Sequence, residues 1–128
     1  MELALEVESK PGELTRILSG LNSKGVNAIA FCGFNGSNGR GAFIMIVPDK
    51  EEKAERVARE MGLDATLHPV VAVTGEAGKG AGAKLAQKLW DAGINIEYAY
   101  ASTPGSGPST AIFKVPDADA AIAALKKR

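Results

Sequence analysis

Residues 7–28 read VESKPGELTRILSGLNSKGVNA, and residues 71–102 read VAVTGEAGKGAGAKLAQKLWDAGINIEYAYAS. The two stretches fall into register when the chain is slid against itself by 68 residues. Gly25-Val26-Asn27 then lies on Gly93-Ile94-Asn95, and further out Val47-Pro48-Asp49 lies on Val115-Pro116-Asp117. Ala4/Ala72, Glu8/Glu76, Gly12/Gly80, Leu21/Leu89, Gly39/Gly107 and Ile44/Ile112 coincide as well, giving 11 identities in 60 overlapping pairs without a gap. Turn, cap and strand positions stay aligned throughout, which reads as an internal duplication. The register divides the chain into repeat 1, residues 1–68, and repeat 2, residues 69–128.

Both repeats read in the same order. Leu3, Leu5 and Val7 alternate with Ala4, Glu6 and Glu8, as in a half-buried strand. Lys10-Pro11-Gly12 breaks it, and Pro11 suits the first position of a helix, where a missing N–H costs nothing. Leu14, Ile17, Leu18 and Leu21 form an amphipathic stripe that Gly25 stops. Strands are expected over 26–34 and 42–47, on either side of a turn-rich loop. Asp49 is placed as an N-cap, with Glu52 at capping-box spacing, before the helical stripe Ala54, Val57, Ala58 and Met61 that Gly62 ends. Residues 63–67 suit a fourth strand.

Repeat 2 gives a strand over 70–74, a helix over 80–92, strands over 94–102 and 110–115, and a helix over 117–127. Arg128 is the counterpart of Glu60, so this copy is expected without a fourth strand of its own. Either residues 65–73 serve both sheets, or the second sheet closes against a partner. The order βαββαβ, with antiparallel sheets, is the ferredoxin-like pattern of the α+β class.

Composition narrows the function. The 128 residues carry 15 basic and 15 acidic side chains, a balance that argues against nucleic acid as a partner. A single cysteine excludes a disulfide framework and a thiolate zinc site, and fits a reducing compartment. The amino-terminal residues lack the basic and apolar run of a signal peptide, and no apolar stretch approaches the roughly 20 residues of a membrane span. The expected location is therefore cytoplasmic, with no membrane partner. Net charge is −2 over residues 1–68 (8 basic, 10 acidic) and +2 over residues 69–128 (7 basic, 5 acidic).

The strand, K-P-G, helix, G-V-N, strand order of residues 7–28 resembles the opening of an ACT domain, a small-molecule regulatory module. Residues 71–102 resemble the Gly-rich variant in the regulatory part of aspartate kinases, with Gly78-Lys79-Gly80 where K-P-G would stand. The resemblance covers nearly the whole chain and is similar to small tandem ACT proteins of bacteria. It implies two ferredoxin-like units and an amino acid held at an interface between ACT domains. The loop between first strand and first helix, together with the start of the second strand, would touch that ligand.

On this chain the implied loop residues are Ser9, Lys10, Pro11, Gly12, Glu13 and Leu14 in repeat 1, and Gly78, Lys79, Gly80 and Ala81 in repeat 2. The strand residues are Asn27 and Ala28, and Asn95, Ile96 and Glu97. Their chemistry suits the role. Glycines at 12 and 80 let a backbone come close, and helix N-termini at Glu13 and Ala81 favour a carboxylate. An asparagine amide both donates and accepts, as an α-ammonium and α-carboxylate require. Glu97 suits a cationic side chain. Plainer readings stand beside these: Gly12 also serves a tight turn, Asn27 and Asn95 also satisfy their amides locally after the helix ends, and Glu97 also reads as a solvated strand residue.

Other motifs fail on context. Residues 78–83 fit G-x-G-x-x-A, but too little chain follows for a dinucleotide-binding sheet, and a P-loop lacks its first glycine at Val73. Cys32 reads as a buried structural thiol in an apolar strand. His68 stands alone beside Pro69, so no metal site is expected. Glu52 and Arg56 form an i, i+4 pair on a solvated helix face. With no nucleophile, base and orienter in view, the chain is read as a non-enzyme without cofactors. The apolar second strand, with Ala28, Ala30 and Cys32 on one face and Ile29 and Phe31 on the other, points to a homodimer. The alternative is an interaction or regulatory subunit of a metabolic enzyme that binds no ligand itself.

Overall fold

Alternation at Leu3, Leu5 and Val7 produces the first strand of an 11-element chain, described here by a computed structural model for residues 1–36, 41–76, 80–102 and 108–127. The elements are β1 (Glu2–Glu8), α1 (Glu13–Ser23), β2 (Ala28–Asn35), β3 (Gly41–Pro48), α2 (Glu51–Glu60) and β4 (Asp64–His68). After these come β5 (Val71–Glu76), α3 (Ala81–Asp91), β6 (Tyr98–Ser102), β7 (Pro108–Lys114) and α4 (Ala118–Lys126). They form two compact units, Met1–His68 and Pro69–Arg128.

Unit 1 is a βαββαβ sandwich whose sheet runs β2-β3-β1-β4 with every neighbouring pair antiparallel. Leu3 stands opposite Ile46 and Leu5 opposite Ile44. These four side chains are buried under Ile17 and Leu21 of α1 and Ala54, Val57 and Ala58 of α2. A side-chain period of two on the strands thus meets the helical stripes across one face of the sheet. Unit 2 repeats the plan with the antiparallel order β5-β7-β6. Val71, Leu89, Phe113, Val115, Ala121 and Ala124 are its buried core.

Among the described residues the second sheet has three strands. β4 pairs with β1 and β5 pairs with β7, so the junction does not supply one strand shared by two sheets.

Several boundaries depart from the sequence reading, for identifiable reasons. Pro11 is not the first helical residue. Gly12, at φ 88°, is the N-cap of α1, and a left-handed backbone cannot lie inside the helix, so the proline sits in the turn before it. β2 begins at Ala28 and not at Val26, because the Val26 N–H donates to Leu21 O at 3.0 Å and closes the end of α1. The same bond in unit 2, Ile94 N–H to Leu89 O at 2.9 Å, keeps residue 94 out of the ladder, and β6 starts at Tyr98. Gly25, Gly62 and Gly93 all adopt positive φ just past their helices, completing Schellman ends as a glycine there should.

Asp49 does not cap α2. Its carboxylate accepts the Asn27 N–H at 2.9 Å, while the N-cap of α2 is Lys50, which makes no side-chain cap bond. The equivalent Asp117 does cap α4, accepting from Ala120 N–H at 3.1 Å. On α2 the ion pair joins Arg59 to Glu55 at 3.4 Å, and Arg59 also reaches Ala65 O.

Candidate functional site

The β1–α1 turn of unit 1 is built by local hydrogen bonds and charge. Ser9 Oγ donates to Asn35 Oδ1 at 2.7 Å and ties the turn to the far end of β2. Gly12 O accepts the first helical bond from Arg16 N–H at 2.9 Å. A Cβ at Gly12 would meet nothing within 4 Å, so the glycine answers to the backbone angle and leaves open space above it. Glu13 is buried, and Arg16 grips it with two bonds, Nε to Oε1 at 3.1 Å and Nη2 to Oε2 at 3.2 Å. The Arg16 hydrogen bond is the main cause that holds the Glu13 carboxyl below its ordinary range, against opposing desolvation and with help from the charges of Arg16 and Lys10. Lys10 Nζ lies 3.6 Å from Glu8 and 4.0 Å from Glu13, and Pro11 and Leu14 are exposed.

In unit 2, Gly80 repeats the left-handed N-cap at φ 76°, with Lys84 N–H donating to Gly80 O at 2.9 Å and Ala81 opening α3. Gly78 and Lys79 lie outside the described residues.

Asn27 and Asn95 follow the ends of α1 and α3. The Asn27 backbone is locked by a reciprocal pair with Asp49, since Asp49 N–H also donates to Asn27 O at 3.0 Å. Its side chain is exposed, as is that of Asn95. Each asparagine lines a pocket. That of unit 1 measures about 260 Å³ and includes Leu18, Asn22, Val26, Asn27, Ala28 and Phe31. That of unit 2 measures about 1050 Å³ and includes Ala86, Trp90, Ile94, Asn95 and Ile96. Offset by 68, Leu18/Ala86, Asn22/Trp90, Val26/Ile94, Asn27/Asn95 and Ala28/Ile96 line both, so the two pockets occupy the same place in the two copies. Leucine at 18 against alanine at 86 is one reason the second is wider.

Within one unit the turn and the asparagine do not meet. The 11 residues of α1 separate them, about 16 Å at 1.5 Å per residue, which is longer than a free amino acid. Glu97 also has an occupation of its own, an ion pair with Lys114 at 3.2 Å, and its N–H donates to Lys114 O at 2.9 Å.

The chain matches the model of the ACT domain pair over residues 1–126. It belongs to the ACT domain pair family. No curated protein matches it in sequence. Among solved structures, the ACT pair is similar to a protein of Bacteroides thetaiotaomicron at 22% identity and TM-score 0.85, covering 98% of this chain and 85% of that one. It is also similar to the ligand-free regulatory subunit of aspartate kinase from Thermus thermophilus at 22% identity and TM-score 0.72, covering 98% and 87%. The regulatory subunit of aspartate kinase from Thermus flavus follows at 19% and 0.63, covering 97% and 88%. At these identities the likeness establishes the fold.

Two side chains in the ACT pair have surroundings that the local sequence did not disclose. His68 is not isolated: its Nε2 lies 2.7 Å from Oε1 of the fully buried Glu2, directly across the β1–β4 ladder. Cys32 is half-buried, not buried; desolvation first, and the Glu2 charge second, push its thiol above the usual range. Among the described residues no group of three His, Cys, Asp or Glu side chains could hold a metal ion. No described helix is long and apolar enough to cross a membrane.

Proposed function

We propose that this ACT pair is a non-catalytic regulatory protein that binds an amino acid. The observation that carries the reading is the recurrence of an asparagine-lined pocket at the same place in both units. The structural likeness to regulatory subunits of aspartate kinase supports the regulatory half of it.

The ligand would sit between ACT units, since a turn and an asparagine of one unit are a helix length apart. The residues 9–14 turn, or Gly78, Lys79, Gly80 and Ala81, would supply N–H groups and the positive helix end for a carboxylate. Asn27 with Ala28, or Asn95 with Ile96, would come from the facing unit. Glu97 contributes only if a cationic ligand displaces Lys114. Binding stabilises one packing of the units and passes that shift to a partner, in a homodimer and in the cytoplasm.

The experiment is a thermal-shift panel of the 20 amino acids, because a ligand that binds the native state raises the melting temperature. Asn95→Leu should abolish a hit while leaving the circular dichroism unchanged. An unaltered affinity would remove Asn95 from the site.

A second reading has its own observation. Trp90 is 77% exposed beside the larger pocket, as an interface residue of an enzyme-binding subunit would be. A silent panel together with a stoichiometric enzyme partner would favour it.

A further inference from the structure

We propose that unit 1 selects an amino acid with an acidic side chain, Lys50 and Lys53 holding the side-chain carboxylate beside Asn27. This rests on the amino-acid reading above and adds the chemical class of the ligand.

The backbone next to Lys50 is fixed to the pocket wall. Asn27 and Asp49 exchange two bonds, Asn27 N–H to Asp49 Oδ1 at 2.9 Å and Asp49 N–H to Asn27 O at 3.0 Å. Lys50 Nζ then donates to Gly25 O at 2.7 Å, the carbonyl that precedes Val26 of the pocket lining. Half-buried Lys53 follows three residues later on α2, a spacing that keeps it on the same side of the helix. Its Nζ and that of Lys50 each lie 3.7 Å from where a Gly25 Cβ would stand, so two ammonium groups converge on one spot. Lys24, the C-cap of α1, adds a third charge next to them in the chain.

The neighbouring carboxylates are engaged elsewhere. Asp49 accepts the Asn27 N–H, and Glu51 pairs with the Met1 ammonium at 3.0 Å. Among the described residues neither Lys50 nor Lys53 has a carboxylate partner within 4.0 Å. Two convergent cations without a counter-ion favour an anion, and the lysine stem is flexible enough to carry the Lys50 ammonium from Gly25 O to a ligand. The Asn22 and Asn27 amides in the pocket lining suit the α-ammonium and α-carboxylate. A volume of about 260 Å³ fits one amino acid, and falls below the roughly 300 Å³ at which sites for drug-sized ligands begin. The repeat supplies an internal contrast. Lys24, Lys50 and Lys53 correspond to Ala92, Ala118 and Ala121, so unit 2 keeps the asparagine and lacks all three charges.

Calorimetric titration with isosteric pairs, L-aspartate against L-asparagine and L-glutamate against L-glutamine, reads the selection. One acid should bind at least about tenfold more tightly than its amide, the scale of one charge-assisted hydrogen bond. Lys53→Gln, which loses no hydrogen bond of the fold, should narrow that preference, and Lys50→Gln/Lys53→Gln should erase it while leaving the amide's affinity unchanged. Lys126→Gln removes the same charge from α4 of unit 2 and should leave the preference whole. If circular dichroism shows that the double variant unfolds, Lys53→Gln alone decides. Amides that bind as well as their acids, or a preference for the acid that survives in the lysine variants, overturn the assignment and leave the amino-acid reading standing. Succinate or inorganic phosphate binding as tightly as the acidic amino acid also overturns it, since the lysines would then read charge alone. No binding of any amino acid overturns both readings.

Discussion

Replacing Gly12 by alanine separates the two roles a glycine can have at the β1–α1 turn. Its φ of 88° places an L-residue in left-handed space, which costs roughly 1–2 kcal/mol. A Cβ there meets nothing within 4 Å, so no clash adds to that figure. Gly25, at φ 81°, provides the control at the other end of α1. Its Cβ would meet only Lys50 and Lys53 Nζ at 3.7 Å, an ordinary contact, so Gly25→Ala should cost about the same. For a unit of this size a loss of 1–2 kcal/mol lowers the melting temperature by roughly 5–15 °C. Urea unfolding followed by far-UV circular dichroism measures both variants. Where they part, on the function proposed above, is ligand affinity: Gly12→Ala should weaken amino-acid binding at least about tenfold, because a methyl group then fills the open space through which the proposed ligand would approach, whereas Gly25→Ala should leave affinity alone. If Gly12→Ala unfolds at the wild-type urea concentration, the backbone argument is wrong. If both variants lose stability and neither loses affinity, the glycine serves the turn alone.

Three further outcomes are expected. The Glu13 carboxyl should titrate below the ordinary carboxylate range by NMR and return toward it in Arg16→Met; with the folded-state value depressed, the pair's contribution to stability is present above the unfolded-state value of 4.5 and fades as pH falls through the lowered folded value. Asp117→Ala should cost about 1 kcal/mol through loss of the α4 cap, read from the urea midpoint, whereas Asp117→Asn should largely keep it. Cys32 should react with a disulfide reagent more slowly than a free thiol at pH 8, and Glu2→Gln, by removing the charge that adds to desolvation in raising its pKa, should speed the reaction.

Much of the architecture was readable because it is local and repeated. Gly25, Gly62 and Gly93 stop helices wherever the apolar stripe runs out, and Leu21 and Leu89 seat those helices at matching core positions. What could not be read depends on distant partners. Whether Asp49 caps a helix or accepts from Asn27 is decided by a loop 22 residues away, and its twin Asp117 takes the other course. The Glu2–His68 contact spans 66 residues and exists only once β1 and β4 pair. The G-V-N and G-I-N triplets marked where each asparagine follows its helix, and the stripe from Leu14 to Leu21 already set Asn27 a helix length from the turn, whereas the run of β2 parallel to β1 with β3 between them became legible only in the assembled sheet.

The central claim is that this ACT pair binds an amino acid through both of its register-related asparagines. Calorimetric titration with the amino acid that raises the melting temperature most tests it directly. The account predicts saturable binding to the wild-type chain and its loss in the double variant Asn27→Leu/Asn95→Leu with the fold intact. Binding that persists in the double variant, or no response to any of the 20 amino acids, would contradict it.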